Sequence, residues 1–282
     1  ARAKREIMAS LAIPVNEKFS LRIYKEYINA IDPSKRFFIQ SDIEEFKNTI
    51  SIEKDIKLNI IGLKDQYQLK DHIQFVNVLD KAAQEKLTPD EVLDTLKKGN
   101  ARFLTGDLTE KYLKHQVNAT SFGQNPFAII LSCIDSRTTT EHIFDLGLGD
   151  IFSVRIAGNI LNEDILGSME FGVHKIGVKL VVVLGHTKCG AIAGACSHVK
   201  LGNLTGLLEK INPAIDSETT IETERDGSNP VFVDKVAELN VHKTMDRIRN
   251  ESSLIAEYEK EGKIKIVGGM YSVETGGVTF FS

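Results

Sequence analysis

Two stretches of this chain are apolar at every position: Phe-Ala-Ile-Ile-Leu at 127–131 and Leu-Val-Val-Val-Leu at 180–184. A strand with one face in water alternates polar and apolar side chains, so an unbroken run of this kind is buried on both faces. Runs this short, rich in β-branched residues, read as strands rather than buried helices. Two further runs, 151–154 and 264–267, have the same character. Between the second and third lies 164–175, with Ile165, Met169, Val173 and Ile176 at helical spacing. The pattern predicts an α/β fold: a mostly parallel central sheet flanked by helices, with an additional N-terminal segment.

The helices are marked at their ends. Thr88-Pro89-Asp90-Glu91 reads as a helix start, with Thr88 as N-cap, Pro89 in the first helical position and Glu91 completing a capping box. Val92, Leu96 and Phe103 then share a face, and Gly106 is the expected terminator. A second long helix is expected over 231–249 after Asn229-Pro230. The stretch 212–228 is polar and acidic and reads as a loop, and 270–281 as two extended pieces around Gly276-Gly277. These signals divide the chain at about residue 86, into an N-terminal segment, 1–86, and a larger domain, 87–282. Within the first part 58–63 reads as a strand and 41–48 as a short helix.

The net charge of −4 and the scattered basic residues argue against a nucleic-acid partner. The longest apolar run is too short to cross a bilayer. Three cysteines, Cys133, Cys189 and Cys196, do not make a disulfide framework and suit a reducing, cytoplasmic compartment. The chain begins on Ala1, as expected of a processed product or a fragment.

Chemistry is concentrated just after the two apolar runs. Cys133-Ile134-Asp135-Ser136-Arg137 follows the first, and His186-Thr187-Lys188-Cys189, leading into Gly190, follows the second. In an open parallel sheet ligands bind beyond the carboxyl ends of the strands, where both motifs fall. Two thiols and an imidazole suit zinc, and three protein ligands leave a fourth position for water, as in catalytic sites. A closed structural site needs a fourth donor, for which Cys196 and His198 are the spare candidates.

The pair Cys-x-Asp-x-Arg and His-x-x-Cys resembles the signature of the β-class carbonic anhydrases. The resemblance covers roughly 87–282 and includes Asn100-Ala-Arg-Phe103, Gly123-Gln124-x-Pro126, Val154-Arg155-x-Ala157-Gly158-Asn159, Ser168-Met169-Glu170-Phe171 and Gly268-Gly269-x-Tyr271. It implies zinc on Cys133, His186 and Cys189, a paired Asp135 and Arg137, and reversible hydration of carbon dioxide to bicarbonate by a zinc-bound hydroxide. It further implies Gln124 and the Gly190 N–H as donors to substrate, with Phe152 and Phe171 as pocket walls. Phe171 falls where many members have tyrosine, and Thr138 and Thr139 replace the more common Val and Pro. Asp135 either orients the attacking oxygen or ligates zinc in a resting state. His142 is a candidate proton shuttle. A homodimer or higher even oligomer is implied as well.

Two other readings share these residues. The same fold and ligands serve carbon disulfide or carbonyl sulfide hydrolysis. The N-terminal part resembles the regulatory tail of a sulfate-permease-type transporter, which would put the domain on the cytosolic face of a membrane protein, with Arg2, Lys4 and Arg5 flanking the membrane.

Overall fold

The computed structural model describes residues 78–111 and 113–281, which belong to one compact unit. The strand expected at 58–63, the helix at 41–48 and the basic cluster at Arg2, Lys4 and Arg5 lie outside the described residues.

In chain order the elements are α1 (Lys81–Lys86), α2 (Pro89–Thr105), α3 (Leu113–Thr120), β1 (Ala128–Ser132), α4 (Thr140–Ile143), β2 (Ile151–Arg155), α5 (Glu163–Glu170), β3 (Leu180–His186), α6 (Gly190–Cys196), α7 (Gly202–Glu209), α8 (Asn212–Ser217), α9 (Pro230–Glu251), α10 (Ser253–Lys260), β4 (Lys265–Tyr271) and β5 (Val278–Phe281). The strands form one sheet in the order β2-β1-β3-β4-β5. The first four are parallel, and β5 turns back antiparallel to β4.

Every residue of β1 and β3 is buried, as their unbroken apolar sequence requires. Alternate residues feed two cores. Ile129, Leu131, Val181 and Val183 face Met169 and Val173, and Val241, Met245 and Ile255 from α9 and α10. Ala128, Ile130, Leu180 and Val182 face Val92 and Leu96 of α2, and Ile143 and Phe144 at α4. The contact of α2 with the end of α4 is so close that a Cβ on Gly99 would stand 1.9 Å from the Phe144 carbonyl oxygen. Asn100 then ties α2 to the β4–β5 turn, donating to the Ile143 and Gly276 carbonyls and accepting from Val278 N–H.

The expected helix ends are present. Thr88 and Glu91 form the reciprocal capping box, and Gly106 closes α2 in the left-handed region at φ 74°. The helix expected over 164–175 is α only to Glu170 and continues as a π-helical turn, Phe171–Ile176. The stretch 212–228 departs from the expected loop. Its first part is α8, which buries Ala214 and Ile215. The rest is folded around the buried carboxylate of Glu218, which accepts from Thr220 N–H, Ile221 N–H and Arg225. The Arg225 guanidinium in turn lies 4.8 Å from the Phe232 ring centroid. A polar composition therefore hid an ordered segment whose charges are satisfied internally.

The order of strands sets where a site can form. From β1 the chain moves outward to β2, then crosses back over β1 to β3 and continues outward on the other side. The crevice between the carboxyl ends of β1 and β3 is the topological switch point, where open α/β sheets bind ligands. Ser132 pairs with Leu184, and β3 runs on to His186 beside Tyr271. Cys133 thus leaves β1 at the level where β3 delivers His186.

Candidate metal centre

Cys133, His186 and Cys189 meet in this crevice, their donor atoms all within 4.8 Å of one another and all three side chains buried. The two sulfurs are 3.9 Å apart. A disulfide would need about 2.05 Å, and both thiols are free. Two sulfurs each about 2.3 Å from a tetrahedral zinc stand roughly 3.8 Å apart, so the observed spacing fits a shared metal.

The histidine fits as well. His186 Nδ1 lies 2.9 Å from the Thr187 carbonyl oxygen. A carbonyl only accepts, so Nδ1 carries the proton and Nε2 presents a lone pair. That Nε2 is buried and has no hydrogen-bond partner. An orphaned acceptor beside two thiols is what a metal ligand looks like before the metal is counted.

Local structure explains the convergence. After His186 the chain turns through Lys188, held in the left-handed region at φ 54°, and returns Cys189 to the crevice as the residue capping α6. Lys188 N–H is anchored on Asp234 of α9, and Thr187 accepts from Val273 N–H. On the other side, Gly158 N–H donates to Cys133 Sγ at 3.3 Å. Gly158 has φ 67°, and a Cβ there would press on Ile211 at 3.0 Å. Its carbonyl is held by the buried amide of Asn240.

The Cys133 thiol is pulled down to about 4, first by the hydrogen bond from the Cys189 thiol, then by the N–H groups of Asp135 and Gly158, against the cost of burial. Cys189 is pushed up by the same contact, by burial and by the neighbouring thiolate. The two thiols share one hydrogen bond, and a divalent cation bound there would take both as thiolates.

Asp135 is gripped by Arg137 in a two-pronged pair, Nε to Oδ1 and Nη2 to Oδ2, each 2.9 Å, with Arg137 N–H adding a third bond to Oδ1. The guanidinium, together with that N–H, holds the carboxyl well below the usual carboxylate range. Asp135 is not part of the three-donor group. Cys196 and His198 are not part of it either. Cys196 ends α6 with its thiol in the core, where burial pushes it up to about 11, and His198 is exposed.

The remaining sequence-derived residues are dispersed. Gly190 opens α6 beside Cys189 with nothing within 4 Å of its Cβ position, leaving its backbone accessible. Gln124 is exposed and precedes β1, whereas Cys133 follows it; the strand between them spans about 17 Å. Phe152 pairs with Ile129, three residues before the end of β2, and its ring centroid is 6.3 Å from that of Phe171, which is 52% exposed. His142 is exposed on α4. Three residues given no role in the sequence now border the centre: Arg155, Asn240 and Tyr271. The first and last lay within recognised motifs, but their partners are distant in sequence and carry no local pattern.

A family model described as carbonic anhydrase matches residues 128–278, more than half the chain. A second, the tail-specific protease N-terminal domain, matches 11–98. Carbonic anhydrase 2 of Mycobacterium tuberculosis is 37% identical over 188 residues, covering 64% of this chain and 87% of that protein. A β-carbonic anhydrase of Aspergillus fumigatus superposes with a TM-score of 0.52 at 26% identity, over 68% of this chain and 90% of the other. A tetrameric β-carbonic anhydrase of Sordaria macrospora gives 0.51 at 25% identity, over 68% and 98%. With the family model, the relatives and the parallel sheet in agreement, this chain belongs to the β-carbonic anhydrases.

Proposed function

We propose that the protein catalyses the reversible hydration of carbon dioxide to bicarbonate, with zinc held by Cys133, His186 and Cys189. The observation that carries this is the buried three-donor cluster at the switch point of the sheet. Among the described residues no fourth histidine, cysteine or carboxylate joins it, which suits a catalytic rather than a structural zinc. When bound, zinc supplies a strong nucleophile by lowering the pKa of a water, to about 7 in the three-histidine case and less far beside two thiolates.

The chain's own residues supply the rest. Asp135, kept ionised by Arg137, accepts a hydrogen bond from the attacking oxygen and aims its lone pair. The fork of Arg137 fixes both carboxylate oxygens, so one rotation of Asp135 is favoured. The accessible Gly190 N–H donates to the oxygen that gains charge. His142, exposed on α4, is proposed as a carrier of the released proton to solvent. Carbonyl sulfide or carbon disulfide hydrolysis uses the same donors, so the test is direct. Stopped-flow assays on carbon dioxide and on both sulfur analogues should give turnover on carbon dioxide; turnover confined to the sulfur compounds would replace this reading.

Gln124 stands at the wrong end of β1 to meet Cys133 of its own chain. A substrate role for it, and for Phe152 and Phe171, therefore requires a second copy. Leu104, Leu108, Leu113, Val117 and Phe122, on and near α2 and α3, are exposed apolar side chains that a second copy would cover. We propose a homodimer or a multiple of one, with these residues at the interface. Light scattering at micromolar concentration should give at least twice the chain mass; a fully active monomer would contradict it.

The division into 1–86 and 87–282 is proposed with α1 docked on the larger part, through Gln84 to the Pro126 carbonyl and Lys81 to the Ile176 carbonyl. The transporter context for 1–86 gains no support from the match over 11–98, which is of a different kind. Among the described residues no helix is long and apolar enough to cross a membrane. The unpaired cysteines favour a cytoplasmic setting.

A further inference from the structure

We infer that Arg155 and Thr138 are positioning residues for this site, clamping the backbone turn that carries Cys133 at one end and the Asp135–Arg137 pair at the other. The inference rests on the hydration reading above and adds residues to it.

Within itself the turn is held by Arg137 N–H on Asp135 Oδ1 and by Thr138 N–H on the Asp135 carbonyl, and β2 supplies further bonds from outside. The turn lies between β1 and α4, with Ile134 61% exposed. Two peptide carbonyls within it decide where the chemistry points, those of Cys133 and Asp135, because the adjoining peptide planes set the directions of the Cys133 sulfur and the Asp135 carboxylate. Both carbonyls are captured by the same two side chains.

Arg155 ends β2 opposite Ser132, beside the point where Cys133 departs. Its Nε donates to the Cys133 carbonyl at 3.0 Å, and its Nη2 to the Asp135 carbonyl at 2.5 Å. The spacing of the guanidinium fork matches two carbonyls two residues apart, and the charge strengthens both bonds. The hydroxyl of Thr138, which is 1% exposed, lies 3.0 Å from the Cys133 carbonyl and 2.9 Å from that of Asp135. Its single proton serves either one, and its oxygen is 3.4 Å from Arg155 Nη2. Thr138 N–H adds a further bond to the Asp135 carbonyl. Every hydrogen bond given by the Arg155 side chain among the described residues goes to this turn.

The same stretch also holds the ligand by its other end, since Gly158, three residues after Arg155, donates to the Cys133 sulfur. Cys133 is thus fixed at carbonyl and sulfur by a single segment. Freeing the carbonyl side leaves the sulfur anchored but lets the following peptides rotate, and Asp135 moves with them. A misplacement of about 1 Å at a reacting group can cost on the order of 100-fold in rate. The clamp therefore acts on the aim of Asp135 more than on metal retention.

The test uses the full chain loaded with zinc, as Arg155→Met, Arg155→Lys, Thr138→Val and Thr138→Ser. Zinc content, thermal midpoint, and kcat and KM for carbon dioxide hydration are measured on each, with absorption spectra of the cobalt(II)-substituted proteins. Arg155→Met should keep zinc, hold its midpoint within about 5 °C, and lose roughly 30-fold in kcat/KM per bound zinc. Arg155→Lys, which keeps the charge but not the fork, should fall between it and the parent. Thr138→Val should lose about 5-fold, and Thr138→Ser should recover most of that loss because the hydroxyl returns. The cobalt spectra should retain their thiolate charge-transfer bands throughout. Parental kcat/KM per bound zinc in both Arg155→Met and Thr138→Val would overturn the clamp. So would losses that merely follow zinc content or unfolding. A parent enzyme that binds zinc yet hydrates no carbon dioxide would instead overturn the functional reading, and the clamp with it.

Discussion

Cys133→Ser, His186→Ala and Cys189→Ser are each expected to lose most of the bound zinc, and with it at least about 100-fold in carbon dioxide hydration. Substitutions in the outer partners of metal sites typically cost 10–100-fold, and these residues are the donors themselves. The geometry leaves no replacement. The three donor atoms form the whole cluster among the described residues, Cys196 is held in the core at the far end of α6, and Asp135 is committed to Arg137. Serine keeps the size of cysteine but offers zinc a poor, protonated oxygen in place of a thiolate. Metal analysis by mass spectrometry on the purified variants checks this. Stoichiometric zinc retained in any one of them would remove that residue from the ligand set.

Asp135→Asn separates chemistry from metal binding. The variant should keep its zinc, because Asp135 stands outside the three-donor cluster, yet lose hydration rate by about two orders of magnitude or more, the scale of a positioned acid–base group. Asparagine presents an NH2 group where the carboxylate accepted, so the attacking oxygen loses its guide. Arg137→Lys should also fall steeply, since an ammonium cannot reproduce the two parallel bonds to Oδ1 and Oδ2. The pH–rate profile tells this role from the alternative, in which Asp135 blocks the metal at rest. Under that alternative Asp135→Asn is less inhibited at neutral pH than the parent. Near-parent activity from pH 6 to 9 would remove both roles and leave the pair as a structural salt bridge.

Features encoded in consecutive residues were legible before the structure. The unbroken runs at 127–131 and 180–184 became the central strands because nothing in them tolerates water, and Thr88 with Glu91 marked a helix end through one short-range bond pair. The two chemical motifs were readable because each follows directly on such a strand. The short helices α3, α7 and α10, of eight residues each, were not read; so few turns leave little periodicity to detect. Segment 212–228 misled because its charges look solvated until Glu218 is seen to bind its own loop.

The shell around the centre was hidden for a different reason. Arg155 acts on carbonyls about 20 residues away in sequence, Asn240 on the carbonyl of Gly158, 82 residues away, and Tyr271 stands beside His186 only through strand register. None of these relations has a local pattern. They arise from the strand order β2-β1-β3-β4, which brings both motifs and their supports to one crevice.

A single zinc on Cys133, His186 and Cys189 is proposed to make this chain a carbon dioxide hydratase. It is tested most directly by stripping the protein with a chelator and returning zinc in measured steps, with stopped-flow hydration recorded at each. Negligible activity is expected without metal, with a linear rise to a plateau at one zinc per chain. Full activity in the metal-free protein, or zinc bound to that stoichiometry with no hydration of carbon dioxide, would contradict it.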